Sequence, residues 1–138
     1  MNIPSKECVI EELQNHFGAV LLKYKNKQVF YSGKLKDNKE IIVFTPHSKL
    51  HINGHGWIDI NEKQTSILEK TECSIMALRL EGDKVYYFKF HEFKPYLTKE
   101  AMTNEDHWKI YIYSDYLQMR QTNKKFSIKA NDLGEIMI

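Results

Sequence analysis

His47, His51, His55 and Asp59 follow one another at intervals of four residues. Neutral imidazole and carboxylate are ligands for zinc, nickel and iron, and either can take a proton from water. On a helix this spacing would align all four groups on one face, but Pro46, Gly54 and Gly56 break a helix here. On an extended chain, residues an even number apart also share a face, so the side chains can still converge. His47, His51, His55 and Asp59 are therefore candidate ligands of a divalent metal, with His51, His55 and Asp59 the candidate catalytic set. The same pattern also fits a solvated, turn-rich loop in a chain with six histidines. In both cases a glycine-flanked loop between two strands is the first place to look for function.

A second set is cationic. Lys23, Lys25, Lys27, Lys34, Lys36 and Lys39 crowd the stretch from Val20 to Lys39, where Asp37 is the acid, and Lys49 lies just beyond. These seven lysines are candidate contacts for a nucleic-acid backbone, because ammonium groups on phosphates release condensed counterions. The net charge is only +2, so the distribution and not the sum points to DNA or RNA. Lysines and rings also interleave in Lys23-Tyr24-Lys25, in Tyr86-Tyr87-Phe88-Lys89-Phe90 and in Trp108-Lys109-Ile110-Tyr111-Ile112-Tyr113. A sheet showing Lys and Tyr on one face can hold a strand by phosphate contact and base stacking. Alternation of this kind also arises in any antiparallel sheet with one wet face. The scarcity of arginine (Arg79 and Arg120 alone) argues against sequence-specific reading of the DNA major groove.

The elements that must position these groups follow from periodicity. Ser5 caps a helix whose stripe is Val9, Ile10, Leu13 and Phe17, ended by Gly18. Strands are expected over 19–24, 28–35 and 40–45, with turns at Lys25-Asn26-Lys27 and Asp37-Asn38. After the histidine loop, Trp57 to Ile60 is a strand, and Asn61 with Gln64 forms a capping-box pattern opening a helix to about Lys70. Residues 73–80 and 84–90 make a hairpin around Glu81-Gly82-Asp83-Lys84. A helical connection containing Pro95 follows, then strands at 108–113 and 126–129. The expected fold is one α+β domain over residues 1–138, with a mainly antiparallel or mixed sheet of about seven strands and two or three short helices on one face.

The order of helix, three-strand meander, helix and strand over the first 80 or so residues resembles the core of the PD-(D/E)XK nuclease-like superfamily. That resemblance implies a divalent cation held by acidic groups, a lysine beside them, and phosphodiester cleavage by a metal-activated water. It would assign Glu11 or Glu12 as the helix glutamate and Asp37 as the acid. The third strand, Glu40-Ile41-Ile42-Val43-Phe44, has no lysine two residues after its glutamate; Lys39 and Lys49 flank it instead. Asp59, Glu62 and Lys63 are the substitutes that the sequence offers.

Other chemistries lack their signatures. No GxGxxG, P-loop, GxSxG or HExxH occurs. Cys8 and Cys73 lie among apolar residues without a CxxC pair, which suits reduced core cysteines and a cytoplasmic location. The apolar runs are too short to span a bilayer, so no membrane role is expected, and no apolar run after Met1 suggests a secretory signal. The leading functional expectation is a small nucleic-acid-associated domain, an accessory in DNA processing, restriction or phage conflict. A metal-dependent nuclease and a non-catalytic protein-interaction or inhibitor module are the alternatives.

Overall fold

The most apolar run in the chain, Cys73–Leu80, is a strand whose eight residues are all buried. Side chains alternate across a strand, so burial at every position requires a covering layer on each face. The computed structural model describes residues 2–25, 27–52, 54–103, 106–134 and 136, and it supplies both layers.

In chain order the elements are α1 (Lys6–Phe17), β1 (Leu22–Lys23), β2 (Phe30–Lys34), β3 (Glu40–Phe44), β4 (His47–Ser48), β5 (Gly56–Asn61), α2 (Glu62–Leu68), β6 (Cys73–Leu80), β7 (Lys84–Lys89), α3 (Phe90–Phe93), β8 (His107–Ile112), β9 (Tyr116–Met119) and β10 (Lys125–Ser127). Two single 3-10 turns, Lys94–Tyr96 and Lys99–Ala101, link α3 to β8. The first sheet is built around β6. β3 and β4 run parallel along one of its edges, and β7 pairs antiparallel along the other. β2 and then β1 extend the β3 side as an antiparallel meander. The second sheet is antiparallel, in the order β10-β9-β8-β5.

One face of the first sheet carries Ile41, Val43, Ile75, Ala77, Val85 and Tyr87, and α1 covers it with Val9, Ile10 and Leu13. Ser5 and Gly18, at φ +65°, cap α1 as the sequence suggests. The Tyr87 hydroxyl donates to the Glu12 carboxylate (2.7 Å), tying helix to sheet. The opposite face carries Ile42, Phe44, Met76, Leu78 and Phe88, and it meets the inner side of the second sheet: Ile58, Ile60, Trp108, Ile110, Ile112, Leu117 and Met119. Leu68 of α2 and Phe90 and Phe93 of α3 complete that core. The molecule is thus layered as helix, sheet, sheet.

The α+β class and mixed sheet agree with expectation, with two differences of arrangement. Among the described residues ten strands form two sheets in place of about seven in one, the added strands being short pieces such as β4 and β9. The helices do not share one face, since α1 lies on one side of the first sheet while α2 and α3 lie on the other. Cys73 is buried, but Cys8 is exposed, because it falls outside the Val9, Ile10 and Leu13 stripe of α1. Among the described residues no helix is long and apolar enough to cross a membrane.

The two sheets approach closely at Gly56. A Cβ there would stand 2.4 Å from Leu80 Cδ1 and 2.9 Å from Ser48 Oγ, well inside contact distance. The Ser48 hydroxyl uses this proximity: it accepts from the Trp57 N–H (2.9 Å) and donates to the Lys49 carbonyl (2.8 Å). Because Leu80 is buried, its methyl has little room to yield. Gly56→Ala is expected to destabilise the fold by about 1–3 kcal/mol, the range for overpacking a filled core. Urea unfolding followed by circular dichroism measures this, and an unchanged midpoint would contradict the close approach.

Candidate functional site: the outer face of the second sheet

With its inner side against β6 and its neighbours, the second sheet turns the alternate side chains outward. The registers arrange them in rows. Trp57 of β5 lies opposite Tyr111 of β8, which lies opposite Gln118 of β9, which lies opposite Lys125 of β10. In the next row, Tyr113 stacks on Tyr116 (4.7 Å between centroids, planes at 21°), and Tyr116 pairs with Ser127. On the other side Asp59 lies opposite Lys109, whose carbonyl accepts from the N–H of the exposed Arg120 (3.1 Å). Trp57, Tyr111, Tyr113 and Tyr116 are all only partly buried.

The cations are placed against the rings. Lys109 Nζ sits 4.1 Å above the Trp57 ring centroid, and Lys125 Nζ sits 4.7 Å above that of Tyr116. A ring face attracts an ammonium through its quadrupole, so each pair holds its charge at the surface while shielding the apolar face of the ring. Lys109, Arg120 and Lys125 stand on this side of the sheet with the carboxylate of Asp59.

The histidine loop closes one edge of this face. His51 N donates to the His55 carbonyl and Gly54 N to that of His51, folding the segment back on itself, with Gly54 at φ +83°. The two imidazoles then join the row of rings. His51 lies over Trp57 (5.6 Å, planes at 23°), and His55 lies against Tyr111 (4.8 Å) and Tyr113 (5.0 Å). His55 Nδ1 is 3.1 Å from the Gly56 carbonyl, which can only accept, so Nδ1 carries the proton and Nε2 is left free to accept. His47 is set apart in β4, opposite Arg79 of β6.

The four groups read from the sequence as metal ligands are therefore distributed among different tasks. Among the described residues, no three His, Cys, Asp or Glu side chains are grouped so as to hold a metal ion. The acids suggested by the nuclease resemblance are also dispersed: Glu12 receives the Tyr87 hydroxyl, Asp37 pairs with Lys39 (3.9 Å) in the β2–β3 turn, and Glu62 is in the first turn of α2. As placed among the described residues, these groups do not fit a divalent-cation centre.

Of the candidate lysines, Lys23, Lys25, Lys27, Lys34, Lys36 and Lys39 are exposed along the β1–β3 meander of the first sheet. Lys49 is exposed beside the histidine loop. It lines a cavity of about 510 Å³ between the loop and β5, together with His47, His51, Trp57, Asp59 and Gln64. Lys109, Tyr111, Tyr113, Tyr116 and Lys125 were not among the expected site residues. The alternation in Trp108 to Tyr113 carried the signal for the first three, but only the sheet pairing shows which face is open to solvent.

No protein-family model matches the chain, and no curated protein or solved structure matches it.

His47 titrates below the ordinary histidine range, first because of partial burial and then because Arg79, Lys6 and Lys49 place positive charge around it. The folded protein thus resists a proton that the unfolded chain accepts near pH 6.5. Protonation then favours the unfolded chain, so this stability is full above pH 6.5 and declines as the pH falls through and below that value. His47→Gln is expected to flatten the dependence of the urea midpoint on pH between about 7 and 5. Parallel wild-type and variant curves across that window would show that His47 is not the group responsible.

Proposed function

We propose that the protein binds single-stranded nucleic acid on the outer face of the second sheet, using β5, β8, β9 and β10. The observation that carries this reading is the run of partly exposed rings, Trp57, Tyr111, Tyr113 and Tyr116, with lysine ammonium groups held directly over two of them. Bases stack on such rings whatever their sequence, while lysine and arginine follow the phosphates. In a duplex the flat faces of the bases are stacked on one another, so a stacking platform of this kind favours unpaired strands. Trp57, Tyr111, Tyr113 and Tyr116 are partly exposed on this side, and His51 and His55 extend the stacking surface at its β5 edge. The role is that of a binding accessory, with the lysines of the β1–β3 meander as a second, weaker electrostatic surface.

Intrinsic fluorescence reports directly on this face. Trp108 is buried and donates its indole N–H to the Thr98 carbonyl (2.7 Å), whereas Trp57 is the tryptophan that a base would cover. Titrating oligothymidylate and oligouridylate at low salt is expected to quench the Trp57 emission. Neutralisation of phosphates by Lys109, Arg120 and Lys125 gives an expected slope of log affinity on log salt of about −2. Trp57→Ala or Tyr111→Ala should weaken binding by ~5- to 150-fold, the range for losing one stacked base. Lys109→Ala with Lys125→Ala should reduce the salt slope more than it disturbs the fold. The same samples with Mg²⁺ or Mn²⁺, read on a gel, test the nuclease alternative. Absence of strand binding at low salt, or binding indifferent to Trp57 and Tyr111, would refute the reading.

A further inference from the structure

The cavity between the histidine loop and β5 opens onto the outer face through Trp57, which belongs to both. Its size, about 510 Å³, falls within the range of small-molecule pockets. Buried Phe44 and Ile58 contribute apolar floor, and the rings of His51 and Trp57 stand at its side. The mainly apolar lining with rings at its side suits a heterocycle.

Its polar rim has a definite donor and acceptor pattern. Asp59 is exposed, and among the described residues no hydrogen bond or ion pair occupies its carboxylate. Both its oxygens are therefore open acceptors. Gln64 is fixed by the capping box of α2: its backbone N–H donates to Asn61 Oδ1 (2.8 Å), and its Oε1 accepts from the Asn61 N–H (2.9 Å). With Oε1 engaged, the free end of the Gln64 amide is the Nε2 donor. Asp59 and Gln64 both line the cavity, so its rim offers the two acceptor oxygens of a carboxylate and an amide donor.

Among the common bases, guanine matches this pattern most fully. Its N1–H and N2–H₂ donate side by side, as a bidentate carboxylate requires, and its O6 accepts next to them. Cytosine and adenine bring one exocyclic amino donor, and thymine or uracil one ring N–H, so each leaves one carboxylate oxygen unsatisfied. From this complementarity we infer that the cavity is a guanine site, taking one base turned out of the strand held on the adjoining face. This rests on the strand-binding reading for the source of the base. A free guanine nucleotide would present the same edge.

The test compares oligothymidylate with the same oligomer carrying one central guanine, inosine, cytosine or adenine, by Trp57 quenching and by anisotropy of a labelled strand. A single guanine is expected to tighten binding by between about 5- and 150-fold, the discrimination of one bidentate base contact. Inosine, lacking the N2 amino group, should lose much of that gain. Asp59→Asn should bring the guanine-to-thymine affinity ratio close to one. Gln64→Glu retains an acceptor for the capping box but turns a carboxylate toward O6, and it should abolish the ratio with α2 intact by circular dichroism. Equal affinity for all five oligomers would overturn the guanine site while leaving strand binding standing. Failure of every oligomer to bind, together with no response to guanosine monophosphate, would overturn both. Binding of guanosine monophosphate that depends on Asp59, without strand binding, would sustain the pocket and refute the outer-face reading.

Discussion

β6 is buried along its whole length on both faces, and the rest of the architecture answers that requirement. A strand of this kind is stable only between two apolar layers. α1 forms one layer through the stripe of Val9, Ile10 and Leu13. The second sheet forms the other by giving up every alternate residue of β5, β8 and β9 to the shared core. The same alternation commits the remaining residues of those strands to the opposite side. The side chains of the outer face are therefore placed by the packing of the inner one. Gly56 permits the close approach of the two sheets at this point, and Ser48 links them through the backbone of the residue that carries the Trp57 ring.

A buried cation reinforces the junction where β3 passes into β4. Arg79 Nε and Nη2 donate to the Thr45 carbonyl (3.2 and 2.8 Å), Nε also to the Thr45 hydroxyl (3.1 Å), and Nη1 to the Pro4 carbonyl (3.2 Å). Burial lowers its pKa, opposed by Tyr31 and Glu7, and the carbonyls compensate part of the lost hydration. This strap holds the start of the histidine loop against β6. The loop therefore leaves the first sheet at a fixed place and reaches the second sheet with its rings already near Trp57.

The long apolar strands, the capped helices and the Asn61–Gln64 box were legible in the sequence, because burial and capping are local patterns. Their division into two sheets was not. The pairings of β5 with β8 and of β3 with β6 join segments far apart in the chain, and periodicity does not reveal which segments meet. β4 and β9 escaped because two to four residues carry no usable period. The histidine spacing was legible as a loop of shared residue type, and the placement of its rings was not. An imidazole is both a metal ligand and a flat ring, and the turn at Gly54 brings His51 against Trp57 and His55 against Tyr111 and Tyr113. Lys125 gave little sign in the sequence, and the alternation that marked Lys109 did not show its ring contact, because a strand lysine looks the same whether it meets water or a ring.

In the proposed strand-binding mode, a lysine already sits where a base would stack. Lys109 covers Trp57 and Lys125 covers Tyr116, and an arriving base must move the ammonium off the ring. An exposed cation–π contact is worth about 0.5–1 kcal/mol, whereas stacking a base on an aromatic side chain contributes about 1–3 kcal/mol. On that proposal the exchange favours the base even before the phosphates are counted. The displaced ammonium is not returned to bulk water, because the strand that brings the base brings a phosphate within reach of a flexible lysine. Ring and cation exchange one contact for two, and the free protein avoids presenting a bare aromatic surface to other chains. Lysine suits this exchange better than arginine, since a compact ammonium on a flexible stem leaves a ring more readily than a stacked guanidinium.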